Sequence, residues 1–466
     1  MRIERDTLGD VQVPEGALYG AQTQRAVENY PISGLREHPL FIRSFVHLKR
    51  AAALANRELG TMDETISAGI VGACDRILGD FERFRPHFVV DVFQAGAGTS
   101  FNMNCNEVIA NLANLSLRGS LGEYKPVHPN DHVNMSQSTN DVFPTAIRLS
   151  TLMLLDRLGP ALDRLDEALD VKGDEFDDVI KSGRTHLQDA VPVTLGQEFK
   201  AYAAAVRRAT ALLRNAGEEL RVLGIGGTAT GTGINTPPGY RFVVIRHLEE
   251  STRLRLQASD DLREAMQSQL PIVAVSAALR NLALELTRIT NDLRLLSSGP
   301  RTGLAEIILP SVQPGSSIMP GKVNPSMLEC MNQVLFHVIG ADTAIAYASQ
   351  AGQLELNVMM PLMAFELSFS MEILKNFLPV FVEKCIRGIE ADRERCEEYY
   401  ISSPSLATAL NPIIGYAAAA EIAKESARSG KPIPELLRDR GLLSEERIQE
   451  IFTPDFLAGQ ADRLPE

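Results

Sequence analysis

The 466-residue chain is 45% hydrophobic, has no Trp and carries a formal charge of −13. That length and apolar share allow a large core and about three domains, while the acidity and the lack of any Lys/Arg-rich run exclude the basic face of a nucleic-acid binder. Five scattered cysteines with no CxxC pair predict neither a disulfide framework nor a zinc site and fit reduced thiols in a cytoplasm.

The N-terminal MRIERDTLGD has no apolar signal-peptide core, and no run of about 18 apolar residues predicts a membrane span. The first forty residues read as loop, with Gly9, Pro14, Gly16, Gly20, Pro31, Gly34 and Pro39. Helical texture follows to residue 90, then a polar, glycine-bearing stretch from Gln94 to Glu107. Leu155, Leu158, Leu162, Leu165 and Leu169 form a heptad-like seam that Pro160 is expected to kink. Helices are predicted over 196–222, 326–350 and 356–382. A second seam, Val275, Leu279, Leu282, Leu286, Ile289, Leu293 and Leu296, is ended by Ser-Gly-Pro at 298–300. Smaller helices are predicted near 416–428, 433–440 and 444–452. Long helices with coiled-coil spacing, and no strand–helix alternation, predict an all-α fold built on a helical bundle. The expected domains are 1–140, 141–395 with the long helices, and a small C-terminal unit, 396–466.

Four polar islands interrupt the helical texture: GAGTSFNMNCN at 96–106, HPNDHVNMSQSTND at 128–141, GRTHLQD at 183–189 and PGSSIMPGKVNP at 314–325. Taken singly, each reads first as a solvated loop. Their shared chemistry is what points to function. Thr99, Asn104, Ser138, Thr139, Asn140, Thr185, His186, Ser316, Lys322 and Asn324 are nearly all donors, a set suited to a small dicarboxylate. GAGTS lacks the spacing of a dinucleotide loop, and PGKVNP is not a phosphate-binding P-loop. His128 and His132 are separated by Pro129, which argues against a metal-binding helix face, so no metal site is expected. His38, His47, His87, His247 and His337 read as structural.

The loop at 314–325 resembles the GSSxMPxKxNP signature of the fumarase/aspartase superfamily. The likeness extends through YGAQTQRAVENYPISG, GAGTSFNMNCNEVIAN, VNMSQSTNDVFPTA, GRTHLQDAVPVTLGQE, GTGINTPPGY, NDLRLLSSGPR and GQLELNV, in the family's order. The resemblance implies an all-α, three-domain subunit whose central bundles join in a homotetramer with a twenty-helix core. It implies active sites that each draw on three chains, and a reversible anti elimination yielding fumarate with no organic cofactor. It implies Ser316 as the base on a mobile loop. Thr99, Ser138, Thr139 and Ser317 would surround the carboxylate that gains charge, and Thr185, Lys322 and Asn324 the other. His186 would sit near the leaving group, with Glu329 as its acidic partner.

Two branches share these residues. STND at 138–141, DAVPVTLGQE at 189–198, NDLRLLSSGPR at 291–301 and MNQVLFHVIG at 331–340 resemble aspartases, in which ammonia leaves aspartate. GGTATGTGINTPPGY and the His of RTHLQD occur readily in class II fumarases, in which water leaves malate. Met360 stands where aspartases typically carry Glu. A third reading is a catalytically silent structural member, but the base and carboxylate ligands are all present. HPND at 128–131 resembles a second dicarboxylate site of fumarases and reads equally as a helix-start turn. The expected partners are a small dicarboxylate and further copies of the chain, with neither nucleic acid nor membrane.

Overall fold

A computed structural model describes residues 1–458; residues 459–466, the end of the expected C-terminal domain, lie outside the described residues. The fold is all-α, as expected. The opening segment differs from its reading as loop. It holds an antiparallel hairpin, β1 (Arg2–Asp6) and β2 (Gly9–Val13), followed by a helix, α1 (Ala21–Asn29). The glycines and prolines there mark turns between short elements: Gly9 adopts φ +117° at the hairpin's return, while alternate Val11 and Val13 are buried.

α2 (Pro39–Glu58) starts with a proline in its first turn, and the His38 ring accepts from Leu40 N–H. α3 (Glu64–Gly79) is capped by Asp63, and α4 (Thr99–Ser116) follows the glycine-bearing stretch. α5 (Thr139–Glu175) continues through Pro160 without ending. Asp156, Arg157 and Pro160 are exposed, so water can satisfy the carbonyl freed by the missing proline N–H. A second hairpin, unanticipated from the sequence, pairs β3 (Ile180–Thr185) with β4 (Gln188–Thr194). Then come α6 (Leu195–Glu218), α7 (Tyr240–Thr252), α8 (Leu270–Leu296), α9 (Ser326–Gln350) and α10 (Met360–Lys384). The chain closes with α11 (Arg393–Ser402), α12 (Tyr416–Ser429), α13 (Ile433–Asp439) and α14 (Glu445–Ile451).

The described chain divides into two compact units: residues 1–159, 211–283 and 336–375 form one, and 160–210, 284–335 and the described residues from 376 onward the other. The first has an aromatic centre. Phe41, Phe45, Phe101 and Phe143 pack with ring centroids 5.0 to 5.6 Å apart, and each fully buried ring contributes about 2–3 kcal/mol. Phe101 follows the start of α4 and Phe143 the start of α5, so this cluster fixes both helix N-termini. In the second unit, β3 rests on a buried ionic cluster. Lys181 Nζ lies 2.9 Å from Glu198 and 3.2 Å from Glu306, and Arg184 grips Glu306 at 2.8 and 3.0 Å. The C-terminal helices have an apolar core of their own, including Leu406, Leu410, Ile422, Ile433, Leu436 and Ile448.

In α8 every residue of the predicted seam is buried, while Leu270, Leu284 and Leu295 on other faces are exposed. By length and composition alone this helix is apolar enough to cross a membrane, a test that a buried core helix also passes; 44% of its apolar window is buried within the chain. Met360 is fully buried at the start of α10, so its side chain serves the core.

Candidate active site

Within the first unit a cavity of about 530 Å³ is lined by Thr99, Asn102, Asn134, Gln137, Ser138, Thr139 and residues of the 228–235 turn. Two helix starts meet there. Before α4 the chain turns through Ala97 at φ +59° and Gly98 at φ +82°. A Cβ on Gly98 would fall 2.0 Å from the Phe143 ring, so only glycine lets Thr99 reach the cavity. The first-turn N–H groups of a helix lack intrahelical partners; Gln94 Oε1 takes that of Phe101 at 2.9 Å.

The start of α5 is a capping box. Ser138 Oγ accepts from Asn140 N–H at 3.2 Å, and Asp141 Oδ1 accepts in return from Ser138 N–H at 2.9 Å. The second Asp141 oxygen accepts from Gly226 N–H and Thr228 N–H, both at 3.0 Å. One buried carboxylate therefore holds two walls of the cavity. Burial raises its pKa to about 6, against the pull of those three N–H groups and of Lys49. Asn140 Nδ2 donates to Ala229 O at 2.8 Å, which leaves Oδ1 as an acceptor. Three non-glycine lining residues, Ser136, Thr228 and Asn235, have positive φ. Such strain costs about 1–3 kcal/mol each and concentrates where geometry serves a ligand.

Behind the cavity lies a residue that no local sequence pattern marks. Lys49 is 0% exposed. Its ammonium donates to Asn102 Oδ1 at 2.7 Å and to Asn134 Oδ1 and Gln137 Oε1, both at 3.0 Å. Asn102 Nδ2 in turn donates to Thr139 Oγ1 at 3.0 Å. Lys49 sits in an amphipathic helix beside His47 and Arg50, where periodicity marks it only as an inward-facing position.

In the second unit, Thr185 ends β3 and His186 and Leu187 form the hairpin's two-residue turn, with φ of +55° and +60°. Such turns favour Asn-Gly because both central residues need positive φ; here the turn holds His186 out on an exposed tip. Leu187 is 71% exposed beside it. The signature loop is irregular, as its prolines and glycines require, and closes on itself. Gly315 N–H donates to Lys322 O at 2.9 Å and Asn324 Nδ2 to Gly315 O at 2.6 Å. A Cβ on Gly315 would lie 2.5 Å from both Asn324 N and Lys322 O, so the neck needs glycine. Ser316 Oγ accepts from Ile318 N–H at 3.3 Å and Met319 N–H at 2.9 Å. Lys322 Nζ donates to Asn324 Oδ1 at 2.7 Å. Lys322 and Ser317 are exposed, and Ile318 is 83% exposed at the tip.

The predicted residues thus fall into three groups. Thr99, Ser138, Thr139 and Asn140 are gathered at the two helix starts; Thr185 and His186 share one turn; Ser316, Ser317, Lys322 and Asn324 share one loop. Glu329 lies in the first turn of α9, and among the described residues no hydrogen bond joins it to His186. Asn104 does not belong with the donors. It is fully buried, and its amide is spent on His87 O and Val89 N–H. His128 caps the 129–133 turn by accepting from Asn130 and Asp131 N–H, and His132 accepts from His128 N–H.

The comparisons with known proteins agree over nearly the whole chain. Residues 9–340 match the family described as Lyase, and residues 406–459 match the fumarase C C-terminus. An aspartate ammonia-lyase of a Bacillus species is 48% identical, with 97% of each chain covered. The chain belongs to the fumarase/aspartase superfamily. The aspartate ammonia-lyase of Pseudomonas aeruginosa is 49% identical over 97% of this chain and 96% of that one. Among solved structures of the superfamily, a fumarate lyase:delta crystallin from Brucella melitensis, bound to cobalt, superposes with a TM-score of 0.94 at 48% identity, covering 98% of both chains. A class II fumarase from Schistosoma mansoni gives 0.93 at 35% identity, covering 97% of this chain and 98% of that one.

Proposed function

We propose that this chain catalyses the reversible anti elimination of ammonia from L-aspartate, giving fumarate. The observation that carries the reading is the near full-length likeness, 46–49% identical, to aspartate ammonia-lyases from several bacteria. The polar groups that the reaction needs support it.

The Cβ–H of aspartate is a very weak acid. Its removal requires the adjacent carboxylate to take up the electron pair as an aci-carboxylate, doubling its charge. Donors already in place around those oxygens lower that barrier without reorganising. Thr99, Ser138, Thr139 and Ser317 fill this role, and Thr185, Lys322 and Asn324 hold the other carboxylate. Ser316 Oγ takes the Cβ proton. A serine acts as a base only if its alkoxide is stabilised, and the two backbone N–H groups already aimed at Oγ supply that. The electron pair then forms the C=C bond as the C–N bond breaks, and the amine leaves with its own pair as neutral ammonia. The free Oδ1 of Asn140 suits an ammonium donor.

The active form is a homotetramer whose sites combine the three groups from different chains, so Glu329 pairs with His186 across a subunit boundary. The exposed apolar residues of α8 suit such association. The cysteine usage suits a cytoplasm. The signature loop is a lid that closes over the substrate and excludes water. Ser316→Ala should fold normally and lose about a hundredfold or more of fumarate formation from L-aspartate; a variant keeping more than about a tenth of wild-type turnover would remove Ser316 from the base role.

A further inference from the structure

We propose that Lys49 is a positioning residue for this elimination: its caged ammonium fixes the Asn102 amide so that the Thr139 hydroxyl presents its proton to the cavity, toward the carboxylate that gains charge. The inference rests on the reading of function above.

An ammonium has three protons to donate and nothing with which to accept. Lys49 Nζ meets three amide oxygens, of Asn102, Asn134 and Gln137. The charge therefore decides which end of each amide faces it. With Oδ1 of Asn102 held by Lys49, Nδ2 lies on the other side, 3.0 Å from Thr139 Oγ1 and 3.2 Å from Asn134 Oδ1. The remaining amides are pinned as well. Asn134 Nδ2 donates to Gln137 O at 3.2 Å, and Gln137 Nε2 donates to Val133 O and Met135 O, both at 3.0 Å. Thr139 Oγ1 already accepts an N–H, so its own proton is free for another acceptor. Thr139 is 8% exposed, and it lines the cavity.

The cage contains no carboxylate. The titratable groups that face Lys49 are Cys105 on α4, Asp141 on α5 and Cys74 on α3. Asp141 is occupied by three backbone N–H groups rather than by the ammonium. A fully buried cation without an ion-pair partner is costly to fold around. Burial lowers the pKa of Lys49 to about 8, against the attraction of those three groups. The three amide oxygens need donors, but a neutral donor would satisfy them without burying a charge. An uncompensated charge behind a donor whose acceptor becomes a dianion has a use that a neutral donor lacks: it contributes most in the transition state.

Asn102→Asp tests the arrangement with little change of shape. The aspartate pairs with Lys49, cancels its charge and has no N–H to offer Thr139, so the Thr139 hydroxyl turns toward it and away from the cavity. The expected result is a native melting temperature with kcat down about a hundredfold, the cost of losing one oxyanion-type donor, and KM changed less than about threefold. Thr139→Val should lose a similar factor, Thr139→Ser should restore most of it, and the double variant Asn102→Asp/Thr139→Val should be no worse than either alone. The nitronate of 2-amino-3-nitropropionate, a planar mimic of the aci-carboxylate, should lose at least about tenfold more affinity for Asn102→Asp than succinate does. Lys49→Met, if it melts as the wild type does, should show the same pattern. Retention of more than about a third of kcat by Asn102→Asp, or independent effects in the double variant, would overturn the proposal. Wild-type protein inactive on both L-aspartate and L-malate would instead overturn the functional reading on which it rests.

Discussion

Glu37→Gln should stabilise the protein at alkaline pH and do little in acid. Glu37 is 2% exposed; its Oε1 accepts from Gln94 Nε2 at 3.2 Å, and its buried Oε2 has no partner among the described residues. Burial, with Asp91 adding repulsion, pushes its pKa from 4.5 up to about 8. The unfolded chain releases this proton near pH 4.5, the folded chain near 8. Between those values the folded state binds more protons, so stability falls as pH rises, and the loss is complete above about 8. That interval corresponds to at most about 5 kcal/mol, at about 1.4 per pH unit. For a chain of this length it amounts to about 5 °C in melting temperature. Gln keeps the bond to Gln94 and has no charge to lose. Melts of wild type and variant at pH 5.5 and pH 9 should show the variant's advantage widening by about 2–4 °C. An advantage equal at the two pH values would refute the reasoning.

Two further perturbations address the site's construction. Gly98→Ala adds a methyl into the Phe143 ring at a positive-φ position; it should destabilise by about 3 kcal/mol or more and impair turnover, as melting and fumarate assays would show, and a variant that melts like wild type would mean the α4–α5 junction is looser than described. Mixing Ser316→Ala and His186→Ala chains, each inactive, and reassembling them should restore partial activity if sites combine residues of different chains; verified mixed tetramers without recovery would contradict the composite site.

The helices were legible in the sequence because they depend on local pattern. The seam from Val275 to Leu296 is buried throughout, and 326–350 is helical at the predicted bounds. Hairpins were lost where turn residues dominated: β1–β2 is flanked by glycine and proline, and the His186–Leu187 turn lacks the Asn-Gly signal of its type. Asp141 was visible inside a polar island, but its hold on Gly226 and Thr228 spans 85 residues or more, and no local spacing encodes it. Lys49 was hidden for the opposite reason. It stands beside His47 and Arg50 in a mixed helical stretch that marks no residue out, and its partners Asn102, Asn134 and Gln137 become a cage only when α2, α4 and the turn before α5 pack together. Asn104 was misjudged as a ligand donor because composition does not reveal that an amide is already satisfied.

Ammonia, not water, is the leaving group. Both substrates present the same two carboxylates, so the discrimination lies in the groups around the leaving position, Asn140, Thr99 and His186. The direct measurement is the ultraviolet absorbance of fumarate formed from L-aspartate and from L-malate at matched concentrations by the same wild-type protein. Rapid formation from aspartate, with malate turned over slowly or not at all, is the expected result. Faster formation from malate would contradict the account and make the chain a fumarase.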